Sequence, residues 1–215
     1  MSTRLAGALT RPRANALRVD GRERVEANAR LTAMTAVSLL VLFSVEVATV
    51  LLTARSMLSL HVAVGLILVP PVLLKIGSVT WRMASYYRGK AAYREKGPPP
   101  LALRILGPLL VFLTKIVLVS GIGLIALPHH LHYIFFTIHA ASFYLWIAVL
   151  VIHVAAHFKR TVRLTARDVL RRTRIRAGRA RLRTLTVGGA LVLGACLALA
   201  FTHTAETYLY IYPHK

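Results

Sequence analysis

Residues 57–81 read MLSLHVAVGLILVPPVLLKIGSVTW, 25 residues with a single charged side chain, Lys75. At 1.5 Å per residue an apolar helix of this length crosses a hydrocarbon core of about 30 Å, so the stretch predicts a transmembrane helix. Pro70 and Pro71 remove two hydrogen-bond donors inside it and predict a kink, which only neighbouring helices can accommodate at that depth. Working outward, stretches near 31–53, 101–127, 133–158 and 184–202 have the same character, which gives five spans. The fold class expected is an all-α membrane protein, a four-helix transmembrane bundle over 31–158 followed by a fifth transmembrane helix within 184–215.

The whole chain has 215 residues, 56% of them apolar, yet carries a net charge of +21 from 28 Lys and Arg against 7 Asp and Glu. The basic residues are not spread evenly. Seven arginines lie in the N-terminal segment 1–30, six basic residues (Arg82, Arg88, Lys90, Arg94, Lys96, Arg104) lie between the second and third spans, and eleven lie in 159–183. That accounts for 24 of the 28, with Arg55, Lys75, Lys115 and Lys215 the remainder. Positive charge holds a loop in the cytoplasm, so the N-terminus is expected inside and the C-terminus outside in a multi-pass protein of the plasma membrane. The first 30 residues have no apolar centre and do not read as a cleavable signal peptide; the first span is the insertion signal.

An arginine run such as 159–183 is also compatible with a nucleic-acid groove or an anionic lipid surface. No aromatic residues interleave with these arginines and no recognition module is present, which argues against nucleic acid. The segment is expected to meet lipid, as an interfacial helix burying Val162, Val169 and Leu170, or a soluble partner. Cys196 is the one cysteine, so an internal disulfide, a Cys-pair metal motif, an iron–sulfur site and a c-type haem attachment are excluded.

Three of the nine histidines fall well inside spans: His61 in the second, His139 and His153 in the fourth. The second and fourth spans run in the same direction, and His61 and His139 stand about four and six residues into them, at nearly one depth. Two imidazoles at one level on separate helices are what axial ligation of haem b needs, one nitrogen for each face of the ring. A helix–helix hydrogen bond or a proton path would use the same positions. His153 lies 14 residues beyond His139, about 21 Å along the helix and on much the same face, the spacing of a second haem. The residue 14 beyond His61 is Lys75, however, so one haem is better supported than two. His129, His130 and His132 crowd one loop, where they are open to metal or to a haem propionate. Glu46 and Lys115 sit at similar depth and are expected to pair; Lys75 is expected to snorkel, meet a propionate or contact a quinone.

The run HVAVGLILVPPVLLKIGSVTWRMASYYRGKAAYREKGPPPLALRILGP, the Ser-Gly of the third span and HAASFYLWIAVLVIHVAAH in the fourth resemble small actinobacterial membrane proteins of the cytochrome b561-like and b6-like class. The resemblance covers roughly 57–158. It implies paired histidines carrying haem, with electrons passing between a quinone, a partner redox subunit and an acceptor outside the cytoplasm. Carried across, it makes His61 and His139 one ligand pair and His153 half of another. The candidate cofactor-binding residues are therefore His61, His139, His153, His157, Lys75, Arg82 and His132, of which His61, His139 and His153 are the candidate metal ligands.

The expected function is electron transfer as a membrane b-type cytochrome, the subunit of an oxidoreductase rather than a complete enzyme. No GxGxxG fingerprint for flavin or nicotinamide is present. Expected partners are membrane lipid and a redox subunit or quinone, and a homo-oligomer is compatible with such a bundle. The competing readings are a cofactor-free transporter or channel subunit using Glu46, Lys75 and Lys115, and a membrane assembly protein.

Overall fold

The computed structural model describes residues 2–52, 57–95, 97, 101–170 and 177–211, with side chains described for 19–52, 57–95, 97, 101, 104–156, 158, 162–163 and 181–202. Helices α1 (Ser2–Leu51), α2 (Leu58–Tyr87), the single turn α3 (Ala91–Arg94), α4 (Leu101–Ala126), α5 (His132–Leu170) and α6 (Ala177–Ile211) follow one another, with a 3-10 turn at His129–Leu131 and no strand among the described residues. Five segments within them are long and apolar enough to cross a membrane: Val19–Leu51, Leu58–Tyr87, Arg104–Ala126, His129–Ala156 and Arg181–Thr202. The chain is an all-α membrane protein.

Helix α1 packs along both α2 and α5, α4 packs mainly along α5, and α6 lies against α2. Antiparallel pairing of α1 with α2 is visible in its contacts: Asn28 Nδ2 donates to the Ser78 carbonyl at 3.1 Å, Lys75 Nζ to the Thr32 carbonyl at 2.7 Å, and Thr49 meets His61 at 3.0 Å. The same holds for α4 with α5, where Thr114 meets Trp146 and Ser120 meets His139. Helix α1 is antiparallel to α5 as well, with Phe43 at Trp146 and Leu40 beside Leu150 and Val154, so α2 and α5 run parallel. Side chains have little hydrophobic reason to leave lipid for one another, so such packing rests on close fit and interhelical hydrogen bonds.

Two buried clusters meet at Phe43. One is Leu39, Val64, Leu68 and Val72 between α1 and α2; the other is Leu113, Trp146 and Val149 between α4 and α5. Trp146 is 3% exposed, its ring edge-on to Phe43 at 4.8 Å and its Nε1 donating to Thr114 Oγ1 at 2.9 Å. The indole thus fills the middle of the bundle with its polar edge satisfied.

The helix that carries the first apolar stretch is longer than that stretch: α1 is continuous from Ser2, and its part before the apolar run is braced by α3, with Gly21 against Ala92, Val25 and Tyr93 buried and Arg22 paired to Glu95 at 3.1 Å. Helix α5 continues without a break through the basic residues that follow His157, as far as Leu170, and Val162 is open on its surface to lipid or solvent. Val169 and Leu170 side chains lie outside the described ones. Glu46 does not pair with Lys115: its carboxylate faces α2, whereas Lys115 is exposed on the flank of α4.

Candidate functional site

His61 and His139 come together across the bundle. Their ring centroids are 6.2 Å apart and their planes stand at 82°, with neither ring hydrogen-bonded to the other. Both side chains are shielded by the helices around them but not sealed, His61 being 24% exposed.

On the α1 side, Thr49 Oγ1 donates its single proton to the Glu46 carbonyl at 2.6 Å. The hydroxyl therefore accepts from His61 Nδ1 at 3.0 Å, and Glu46 Oε1 stands 3.2 Å from the same nitrogen. On the α4 side, His139 Nδ1 stands 3.0 Å from the Val117 carbonyl, which can only accept. Ser120 Oγ, 3.1 Å from the same nitrogen, sends its proton to the Ile116 carbonyl at 2.7 Å. Each neutral imidazole is thereby assigned a proton on Nδ1 and a lone pair on Nε2, the tautomer of a histidine that ligates through Nε2 while its other nitrogen is held. Among the described residues neither Nε2 has a hydrogen-bond partner.

Two glycines make this geometry possible. A Cβ on Gly121 would stand 3.1 Å from His139 Cε1, and one on Gly65 would stand 3.3 Å from Glu46 Oε1. The thin places that the sequence displays beside the histidines are occupied by the ring of His139 and the carboxylate of Glu46.

The other candidates are not part of this cluster. His153 continues the seam of His139, Ser142, Trp146 and Val149 on α5, half-buried, about 21 Å from His139 along the axis and with Trp146 between them. Lys75 Nζ is held by the Thr32 carbonyl, and Arg82 lies about 31 Å from His61 along α2, at the basic end. His132 stands about 10 Å beyond His139 toward the opposite end, its ring 5.1 Å from that of His129. The His157 side chain lies outside the described residues. Among the described residues no three His, Cys, Asp or Glu side chains converge as a metal site, the histidines of the turn included. Sequence reasoning did not find Thr49 or Ser120 as positioning residues.

A porphyrin supplies four of an iron's six donors, so the protein needs to add two, and a pair of Nδ1-anchored imidazoles is that set. Two imidazoles on one ion, each at about 2 Å, put their ring centres roughly 6 Å apart, close to the 6.2 Å between His61 and His139. The two imidazoles thus have the spacing and the assigned tautomer of a pair able to ligate one ion. Comparison with family models, with curated proteins and with solved structures finds no match to this chain.

Proposed function

We propose that this chain is a membrane b-type cytochrome that holds one haem b through His61 and His139 and transfers electrons within the membrane. The observation that carries the reading is the meeting of two imidazoles from parallel helices, each fixed through Nδ1 with its Nε2 left to ligate. When bound, the haem supplies a one-electron change between ferric and ferrous iron. The chain's own residues do the rest. Thr49 and Glu46 orient His61, Val117 and Ser120 orient His139, and anchoring of this kind raises the basicity of the ligating nitrogen. Trp146, Phe43 and Leu113 keep the bundle apolar on one side of the pair, and low polarity around the site is one of the levers on the potential.

The distribution of basic residues supports an N-terminus in the cytoplasm and a C-terminus outside, in the plasma membrane, with the histidine pair toward the outer face. Its electron partners are then a quinone or a membrane redox subunit. The transporter reading finds less support, because Glu46 is on His61, Lys75 on the Thr32 carbonyl and Lys115 on the outer flank, three separate settings instead of one polar path.

The test is the absorption spectrum of the purified protein. A Soret band that shifts on dithionite reduction is expected, lost in His61→Ala and His139→Ala and kept in His153→Ala. Folded protein that stays colourless when expressed with ample haem supply contradicts the reading.

A further inference from the structure

Helix α4 packs mainly along α5 and turns Leu113, Thr114, Val117 and Ser120 toward that neighbour. Its other side is left uncovered: Ile105, Phe112, Lys115, Val119 and Ile122 are all exposed. From Phe112 to Ile122 these positions are three, four and three residues apart, and Ile105 stands one heptad before Phe112. That is the a/d spacing by which helices pack at the shallow left-handed crossing usual in membrane bundles. An apolar stripe is equally what lipid would meet, so the stripe alone decides nothing. The charge in its middle does.

Lys115 is the twelfth residue of the 23-residue span Arg104–Ala126, about 16 Å from either end, further than a lysine side chain extends. Lipid headgroups are out of its reach. Charged side chains at such depth almost always face a bundle interior or a water-filled cavity, because hydrocarbon offers an ammonium neither hydration nor a counter-charge. In the single chain Lys115 is exposed on the flank of α4, and among the described residues it makes no hydrogen bond or ion pair. The interior it belongs to is therefore completed by another molecule. The group that best satisfies an ammonium there is a carboxylate. Of the seven Asp and Glu of this chain, Glu46 alone lies in an apolar stretch, and it is turned to His61. A second copy lacks a free carboxylate at this depth for the same reason, so the occupant is a different chain.

We infer that the outward face of α4 is an intersubunit surface for the transmembrane helix of another membrane protein, one with an Asp or Glu near its midpoint paired to Lys115. Phe112 and Val119, about one turn to either side, pack against the same helix and close lipid off from the ion pair. The surface does not rest on the haem reading: Val117 and Ser120, which meet His139, stand roughly 140–160° round the helix from Lys115.

The probe is a transmembrane polyleucine helix of about 23 residues, with one central Glu and a photoreactive leucine beside it. It is reconstituted in lipid vesicles with the purified full-length chain, illuminated and mapped by mass spectrometry. Adducts concentrated on 105–122 are expected, about ten-fold more abundant than with a central Leu, the factor that one polar contact between model membrane helices supplies. Labelling should fall to the central-Leu level in Lys115→Met and persist in Lys115→Arg. Lys115→Glu should exchange the preference, rejecting the Glu helix and taking one with a central Lys. No preference for Glu over Leu, adducts spread over all lipid-facing helices, or labelling unchanged in Lys115→Met overturns the surface. Adducts between two copies of the chain through α4, which the Glu helix does not displace, give the face to a homo-oligomer and overturn it equally. The haem spectrum of the same samples separates the two readings: a colourless protein that keeps the Lys115-dependent labelling removes the cytochrome and leaves the surface standing.

Discussion

A threonine hydroxyl has one proton, and Thr49 gives it to the Glu46 carbonyl, which leaves its oxygen to accept from His61. That assignment leaves Nε2 free to ligate, so if His61 holds a haem, removing the hydroxyl should be felt at the iron. Thr49→Val is expected to weaken haem retention about ten-fold, within the range for loss of a partner behind a metal ligand, as read by haem transfer to apomyoglobin. Ser120→Ala should cost less, because the Val117 carbonyl still holds His139 Nδ1; a larger loss in Ser120→Ala than in Thr49→Val would reverse the roles of the two hydroxyls. The histidines could be read from depth alone, as could the cost of Glu46. The hydroxyls could not, because serine and threonine in helices commonly bond back to their own turn, as Thr35, Ser44 and Thr114 do. Nothing in the sequence distinguishes Thr49 and Ser120 from those.

Pro71 has no N–H, so the Ile67 carbonyl one turn earlier in α2 lacks its helical donor, and Gly194 of α6 packs against that carbonyl. A Cβ on Gly194 would stand 2.5 Å from Ile67 O and 2.8 Å from Ile67 Cα, backbone atoms that cannot step aside. Gly194→Val is therefore expected to separate α6 from α2 and to destabilise the protein by about 1–3 kcal/mol. Thermal unfolding in detergent, with proteolysis of α6 as a second readout, checks it; an unchanged midpoint would mean that α6 does not seat at this glycine. Within the bundle, Trp146→Phe leaves the Thr114 hydroxyl without its donor and should cost about 0.6 kcal/mol, the average for such bonds between membrane helices. The five spans were legible because apolar length is sufficient to announce a membrane helix. Where α1 starts and how far α5 continues were not, because arginine and alanine favour helix as well outside the membrane as within it, and the bracing of residues 19–30 by α3 is tertiary.

At the scale of the molecule, the basic loops gather at one end with the Arg22–Glu95 contact, and the histidine pair lies toward the other. If the basic end is cytoplasmic, as proposed, Pro128→Cys in a Cys196→Ser background is expected to react with a membrane-impermeant maleimide in intact cells; labelling only after lysis would invert the topology. Parallel α2 and α5 could be deduced from the alternation of spans, since the second and the fourth cross the same way, and that deduction is what set His61 beside His139. The outward setting of Lys115 could not be deduced, since a charged residue at mid-span reads equally as an internal ion pair until the faces of α4 are known.

If His61 and His139 together hold one haem, the most direct measurement is titration of haem b into the purified apoprotein, followed by low-temperature EPR of the ferric form. Saturation at about one haem per chain with a low-spin, bis-imidazole signal is predicted, and high-spin or no binding in His61→Ala and in His139→Ala. Saturable low-spin binding that survives both substitutions would contradict the haem assignment.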